Sequence, residues 1–355
     1  MIIPKKMKAA VLYGKKDLRV VERDVPKPDE DEILVKVKAC AICGGDPKII
    51  ANGWPWGPPM GEYIPGHEYS GEVVSVGERV SDFKIGDRVA AESHKGCGHC
   101  INCIRGLYTT CLNYGKTEEG HKQYGFTVNG AYAEYTVSHR NCLHKFSEKI
   151  SYDEAALLTA GGAALYGIQR IGWIWPGETV AVIGPGPIGL MACQLAKISG
   201  AGKIIIIGTR NSRLKVAKKM GIGITINAKE EDTYNIINEQ TKGIMADVVI
   251  EASGTASGAM QSIELVKKSG RICFLGLYPE PVKIDLLKVV MNNIQVAGGR
   301  GEGSHVIERI IPLMEDKRIV VKDLITHKYP LIEINKAFNT FINRIDGAIK
   351  VIINP

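Results

Sequence analysis

Over residues 1–150 the chain changes character every second residue. The run EILVKVKA (Glu32 to Ala39) sets apolar and polar side chains on alternate faces, and EYSGEVVSVG, GDRVAAES and GAYAEYTVS do the same between glycines. A period of two marks strands with one buried face, so this part is expected to be a β-rich domain, a partly open barrel. From Ser151 the pattern shifts. Ser151 or Asp153 is placed to cap a helix through EAALLTAGGAALYGIQRIG. ETVAVIG, KIIIIG, ADVVIEAS and GRICFLG then follow as almost wholly apolar strands, separated by helical patterns such as SRLKVAKKMG. Apolar strands alternating with helices predict a parallel sheet covered on both faces. Beyond about Met291 the alternation is not extended, and the chain closes on GAIKVIINP, a lone strand.

Composition adds bounds to this α/β plus β picture. The 355 residues are 45% hydrophobic and 23% charged, enough for a proper core and roughly two domains. No run of about 18 apolar residues occurs, and MIIPKKMKAAVLYGKK lacks a signal peptide's layout, so a cytoplasmic protein without a membrane role is expected. The net charge of +7 is spread along the chain, which gives little support to nucleic-acid binding and suits a phosphate-bearing cofactor or an anionic substrate.

VAVIGPGPIGL places Gly184, Gly186 and Gly189 as G-x-G-x-x-G, with Pro187 and Ile188 between them, directly after a strand and at the opening of a helix. The first glycine permits a tight turn, the second lets backbone approach a pyrophosphate, and the third lets helix and strand pack closely. At the tip of the next strand, where an acidic side chain would hold the ribose hydroxyls of NAD, stands Gly208, followed by Thr209, Arg210 and, on the next helix, Arg213. Loss of the acid and gain of Arg210 favour the 2′-phosphate of NADP over NAD. The plainer alternative is a solvated arginine in an ordinary loop.

Four of the nine cysteines crowd into GCGHCINCIRGLYTTC: Cys97, Cys100, Cys103 and Cys111, with two, two and seven residues between them. Four thiolates can close a tetrahedron around zinc with no open position, a structural site. An iron–sulfur cluster or bystander thiols are the rival readings. His99 lies in the same loop and is expected to be exposed rather than a ligand.

CGGD at Cys43 to Asp46, PGHEYSGEVVSVG at Pro65 to Gly77, GDRVA at Gly86 to Ala90, the four-cysteine lobe, NGAYAEYTV and the later glycine motif occur in this order. Together they resemble the zinc-containing medium-chain alcohol and polyol dehydrogenases over essentially the whole chain. The resemblance implies a GroES-like catalytic domain, residues 1–152 and 292–355, around a Rossmann domain, residues 153–291, with a catalytic zinc in the cleft between them. It implies two zinc ions per chain, a dimer or tetramer, and zinc ligands Cys43, His67 and, as in polyol-type members, Glu68. Asp46 would orient a ligand, and Arg300 in GGRGEG falls where some relatives place an arginine near substrate or nicotinamide. The chemistry agrees: thiolate, imidazole and carboxylate leave zinc a fourth position for a substrate oxygen.

Three positions depart from the family pattern. Gly45 stands where most relatives have the Ser or Thr that begins a proton relay, Lys48 where a His often ends it, and Thr159 where polyol dehydrogenases carry a Glu at the zinc or its water. A water held by Glu68 or Thr159 could carry the proton instead. So could Lys48, if burial and the metal lowered its pKa; the alternative is a surface lysine. Trp54, Trp56 and Tyr63, in the loop between Cys43 and His67, are candidates to stack on a sugar face or simply to pack. The expected function is hydride transfer between a secondary alcohol of a polyol, cyclitol or sugar derivative and NAD(P). The same features also allow a catalytically decayed protein that binds zinc and nucleotide for regulation.

Overall fold

The computed structural model describes residues 2–355. The chain divides into two compact units. The first comprises everything up to Thr159 together with Gly301–Glu315 and Ile325–Pro355; the second is Ala160–Arg300 with Asp316–Leu324.

In the first unit a seven-stranded sheet runs in the order Ile325–Pro330, Lys350–Asn354, Glu32–Ala41, Glu68–Val76, Arg88–Ala91, Leu143–Lys145, with Tyr135–His139 also paired to Glu32–Ala41. The alternation in EILVKVKA forms a strand as expected, with Ile33, Val35 and Val37 in the main core and Leu34 in a smaller one. Its far end matters most for the site. Ala41 lies opposite Glu68 on one side and Ile352 on the other, so the last strand of the chain is brought beside the first residues after His67. The strand GAIKVIINP is therefore not alone: long-range pairing, invisible in local pattern, gives it a place in the sheet.

The second unit holds a six-stranded all-parallel sheet ordered Ile224–Asn227, Lys203–Gly208, Thr179–Ile183, Ala246–Glu251, Val266–Phe274, Gln295–Gly298. Strand order reverses between Thr179–Ile183 and Ala246–Glu251, the switch point at which such sheets open a crevice for ligands. The sheet corrects one sequence expectation. Gln295–Gly298 extends the alternation past Met291, so the unit runs to Arg300; this short edge strand carries no apolar run to betray it. Asp316–Leu324 also belongs here, held where Gln194 exchanges hydrogen bonds with the Val320 backbone at 2.8 and 3.2 Å. Ser151 caps its helix through a reciprocal box with Glu154, but the helix breaks, giving Tyr152–Ala155 and Leu158–Arg170.

Candidate functional site

Cys43 follows the strand Glu32–Ala41, and the chain turns at once into the short helix Asp46–Asn52. His67 and Glu68 enter the neighbouring strand after Gly66, whose φ of +98° is a left-handed conformation that glycine takes freely. A Cβ on Gly66 would lie 2.8–2.9 Å from the backbone and ring of Tyr132, so both backbone angle and packing demand glycine there. The result is convergence: one ligand atom each from Cys43, His67 and Glu68 lies within 4.8 Å of the others.

The surrounding contacts orient each group. Asp46, wholly buried, accepts the Cys43 backbone N–H at 2.8 Å and the Tyr132 hydroxyl at 2.6 Å on Oδ2, while Oδ1 lies 3.3 Å from His67 Nδ1. That leaves His67 Nε2 facing away from Asp46. Burial works to lower the His67 pKa, but Asp46 and Cys43 outweigh it and hold the imidazole well above its ordinary range. Burial likewise pushes the Asp46 carboxyl up, and His67, Tyr132 and the Cys43 amide overcome it, leaving it below the usual carboxylate range. Glu68 Oε2 is paired with Lys350, also buried, whose ammonium further donates to the Ile42 carbonyl at 3.1 Å. The Lys350 pKa is raised: burial opposes its charge, and Glu68 and Cys43 favour it.

These residues fit a zinc ion. A soft thiol, an imidazole and a carboxylate converge, and Asp46 Oδ1, buried 3.3 Å from His67 Nδ1 with no other partner, is placed to orient that imidazole.

Other expected members of the site stand apart. Lys48 is exposed, so the burial that was to make it a base is absent. Thr159 is buried, with its hydroxyl turned to the Ala91 carbonyl at 3.5 Å. Tyr63 is fully buried and donates to the Gly125 carbonyl at 2.8 Å, which removes it as a sugar platform. Trp54 and Trp56 pack edge-on to each other, and Trp54 edge-on to Phe126, whose ring centroid is 4.5 Å from that of His67. Sequence reasoning missed Tyr132, Phe126 and Lys350; the one available signal was a lysine set inside the apolar strand KVIIN.

In the cysteine lobe, the ligand atoms of Cys97, Cys100, Cys103 and Cys111 also lie within 4.8 Å of one another. Sγ separations of 3.9 Å for Cys97–Cys103 and for Cys100–Cys111 match the edge of about 3.8 Å that four sulfurs at zinc–sulfur distance would span. Backbone N–H groups of Cys103 and Leu112 bring Cys100 down to about 6, while burial pushes Cys103 up to about 12 and Cys111 up as well. His99 is exposed and contacts the Cys97 carbonyl, Asn113 and Glu119.

In the second unit, Gly184 has φ of +102°, and a Cβ there would sit 2.7 Å from the Ser253 amide nitrogen. A Cβ on Gly189 would be 2.1 Å from the Gly184 carbonyl oxygen, so neither position admits a side chain. Gly186 precedes the helix Pro187–Ile198, whose first turn contains Ile188 and has no side-chain cap, leaving its N–H groups open to an anion. Arg213 is half-buried, with Nη1 3.8 Å from where a Gly186 Cβ would be; burial and nearby Arg210 lower its pKa. Thr209 and Arg210 are exposed. Gly208 is sterically fixed, since a Cβ would meet the Pro185 ring at 2.5 Å. Arg300 is exposed at the end of this unit.

Residues 29–148 match the alcohol dehydrogenase GroES-like domain and residues 187–316 the zinc-binding dehydrogenase domain. The chain is 34% identical to a sorbitol dehydrogenase of Halalkalibacterium halodurans, covering 98% of this chain and 99% of that one. It is 35% identical to an L-threonine 3-dehydrogenase of Bacillus subtilis, covering 95% and 94%. A structure of a zinc-binding dehydrogenase from Sinorhizobium meliloti bound to NADP superposes with a TM-score of 0.90 at 29% identity, covering 99% of this chain and 100% of that one. The protein is an oxidoreductase that belongs to the zinc-containing medium-chain alcohol and polyol dehydrogenase family.

Proposed function

We propose that the protein oxidises a secondary alcohol of a polyol or related hydroxylated substrate, with zinc held by Cys43, His67 and Glu68 and NADP preferred over NAD. The observation that carries this reading is the convergence of those three side chains, each braced by a buried partner, in a chain whose second unit has a glycine turn built for a dinucleotide. When bound, zinc supplies a Lewis acid and the nicotinamide a hydride acceptor. The chain's own residues do the rest. Asp46 holds the imidazole of His67 by its Nδ1 face, leaving Nε2 for the metal. Lys350 occupies Glu68 Oε2, so Oε1 is the oxygen free to ligate. A Cβ at Gly44 or Gly45 would meet nothing within 4 Å, so this side of Cys43 has room for a substrate hydroxyl or a water.

For the cofactor, Gly208 both lacks an acid and excludes one by its contact with Pro185, while Arg210 and Arg213 supply positive charge beside the glycine turn. A second zinc in the four-cysteine lobe is structural. The reading as a decayed protein finds no support among relatives named as dehydrogenases.

A homo-oligomer is also inferred. The edge strand Gln295–Gly298 is uncharged and open, and the adjoining helix Leu286–Met291 buries none of its residues, leaving Leu286, Leu287, Val290 and Met291 each at least 69% exposed. Natural edge strands are usually guarded by charge or cover, and this one is not, so antiparallel pairing with a second copy suits it. All nine cysteines are unpaired, in keeping with a reducing, cytoplasmic setting. The test is a screen of polyols, inositols and amino alcohols with both cofactors, alongside metal analysis. Two zincs per chain and NADP-linked turnover are expected; one zinc, or turnover with none of these alcohols, overturns the reading.

A further inference from the structure

Every oxygen of a buried carboxylate must be accounted for, because an unmet acceptor away from water is expensive. In Asp46 the two oxygens have different duties: Oδ2 takes both conventional hydrogen bonds, from Cys43 N–H and from the Tyr132 hydroxyl, and Oδ1 is left to face His67. Two donors on one oxygen fix the carboxylate plane.

Tyr132 is itself firmly placed. Its N–H donates to the Pro65 carbonyl at 3.0 Å, its carbonyl accepts from Ala10 N–H at 2.8 Å, and its ring meets Phe338 edge-on at 5.8 Å. The same ring rests against Gly66, the residue before His67. A phenylalanine would satisfy all of that packing. Only the hydroxyl reaches Asp46, and burial together with the Asp46 charge keeps it protonated, hence a permanent donor.

We infer that Tyr132 is a positioning residue for the metal: by donating to Asp46 Oδ2, its hydroxyl holds Oδ1 against His67 Nδ1 and so aims Nε2 at the ion. This rests on the zinc assignment made above for Cys43, His67 and Glu68. Groups that orient metal-bound histidines typically change metal affinity about 10- to 100-fold when lost.

The experiment follows zinc transfer from the intact protein to a chromophoric chelator, with the four-cysteine zinc as internal reference. Tyr132→Phe is expected to speed release of one zinc about tenfold or more and leave the other unchanged. In an Asp46→Asn background the same change should add less than about twofold, since the path it acts through is already cut. Release at the wild-type rate, equal acceleration of both zincs, or effects that multiply in the double variant would each overturn the inference. Should Tyr132→Phe not accumulate as folded protein, Asp46→Asn alone reads the same path, and unchanged release overturns it. A wild-type protein that holds only one zinc instead overturns the metal assignment itself, and the inference with it.

Discussion

Lys350, in the last strand of the chain, and Glu68, the residue after His67, form an ion pair in which the lysine is 3% and the glutamate 4% exposed. Neither charge is tolerable there without the other. The pair ties the end of the chain to a proposed zinc ligand and leaves that ligand a single free oxygen.

Removing one partner should therefore be far worse than removing both. Lys350→Met is expected to destabilise the fold by about 3–5 kcal/mol, the usual result of stranding a buried charge. Lys350→Met combined with Glu68→Gln should recover most of that loss. Denaturant unfolding of the three proteins checks this, and equal destabilisation by the single and double variants would contradict the pairing as the cause.

Cys43 is half-buried and contributes a thiol rather than core packing. Cys43→Ala is predicted to retain the fold and the four-cysteine zinc, to lose one zinc per chain, and to lose turnover. Metal content and thermal unfolding measured on the same sample decide it, and full activity with two zincs would exclude Cys43 as a ligand.

Arg210 and Arg213 should separate the two nicotinamide cofactors. Replacing either by Ala is expected to raise KM for NADP about tenfold, as one charge-assisted contact to a phosphate is lost, with little change for NAD. Gly208→Asp should impair both cofactors, since its Cβ would collide with Pro185 before its charge could help NAD. Improved NAD use by that variant would show the contact to be yielding.

His139 gives a pH signature. Burial, reinforced by Lys95, brings its pKa down to about 4, and its Nδ1 accepts the Asn141 N–H at 3.2 Å. In the unfolded chain the same group titrates near about 6.5. The fold thus binds this proton more weakly than the unfolded chain does, so its contribution is present above about pH 6.5 and is lost as pH falls toward about 4. His139→Gln should flatten that decline; unfolding midpoints that fall in parallel for both proteins between pH 7 and pH 5 would assign the acid sensitivity elsewhere.

Much of this was legible in the linear pattern, and the reason is locality. The period of two in EILVKVKA, the unbroken apolar strands of the parallel sheet, the glycine turn and the clustered cysteines each express a constraint acting within a few residues. Gly184 and Gly189 are forced by backbone angle and close approach over a single turn. Cys97 to Cys111 bring their four thiols together within one loop, so spacing sufficed to nominate the cluster.

What depended on distant partners was not legible. The sequence by itself determined which residue types were available: a thiol at Cys43, an imidazole at His67, carboxylates at Asp46 and Glu68. Only the tertiary structure decided how they are held. Strand pairing brings Lys350 to Glu68 across a sequence separation of 282, and packing against Gly66 delivers Tyr132 to Asp46 across one of 86. It also left Lys48 in solvent and sealed Tyr63 in the core, because exposure follows from the whole surface a fold buries and not from any residue's neighbours in the chain.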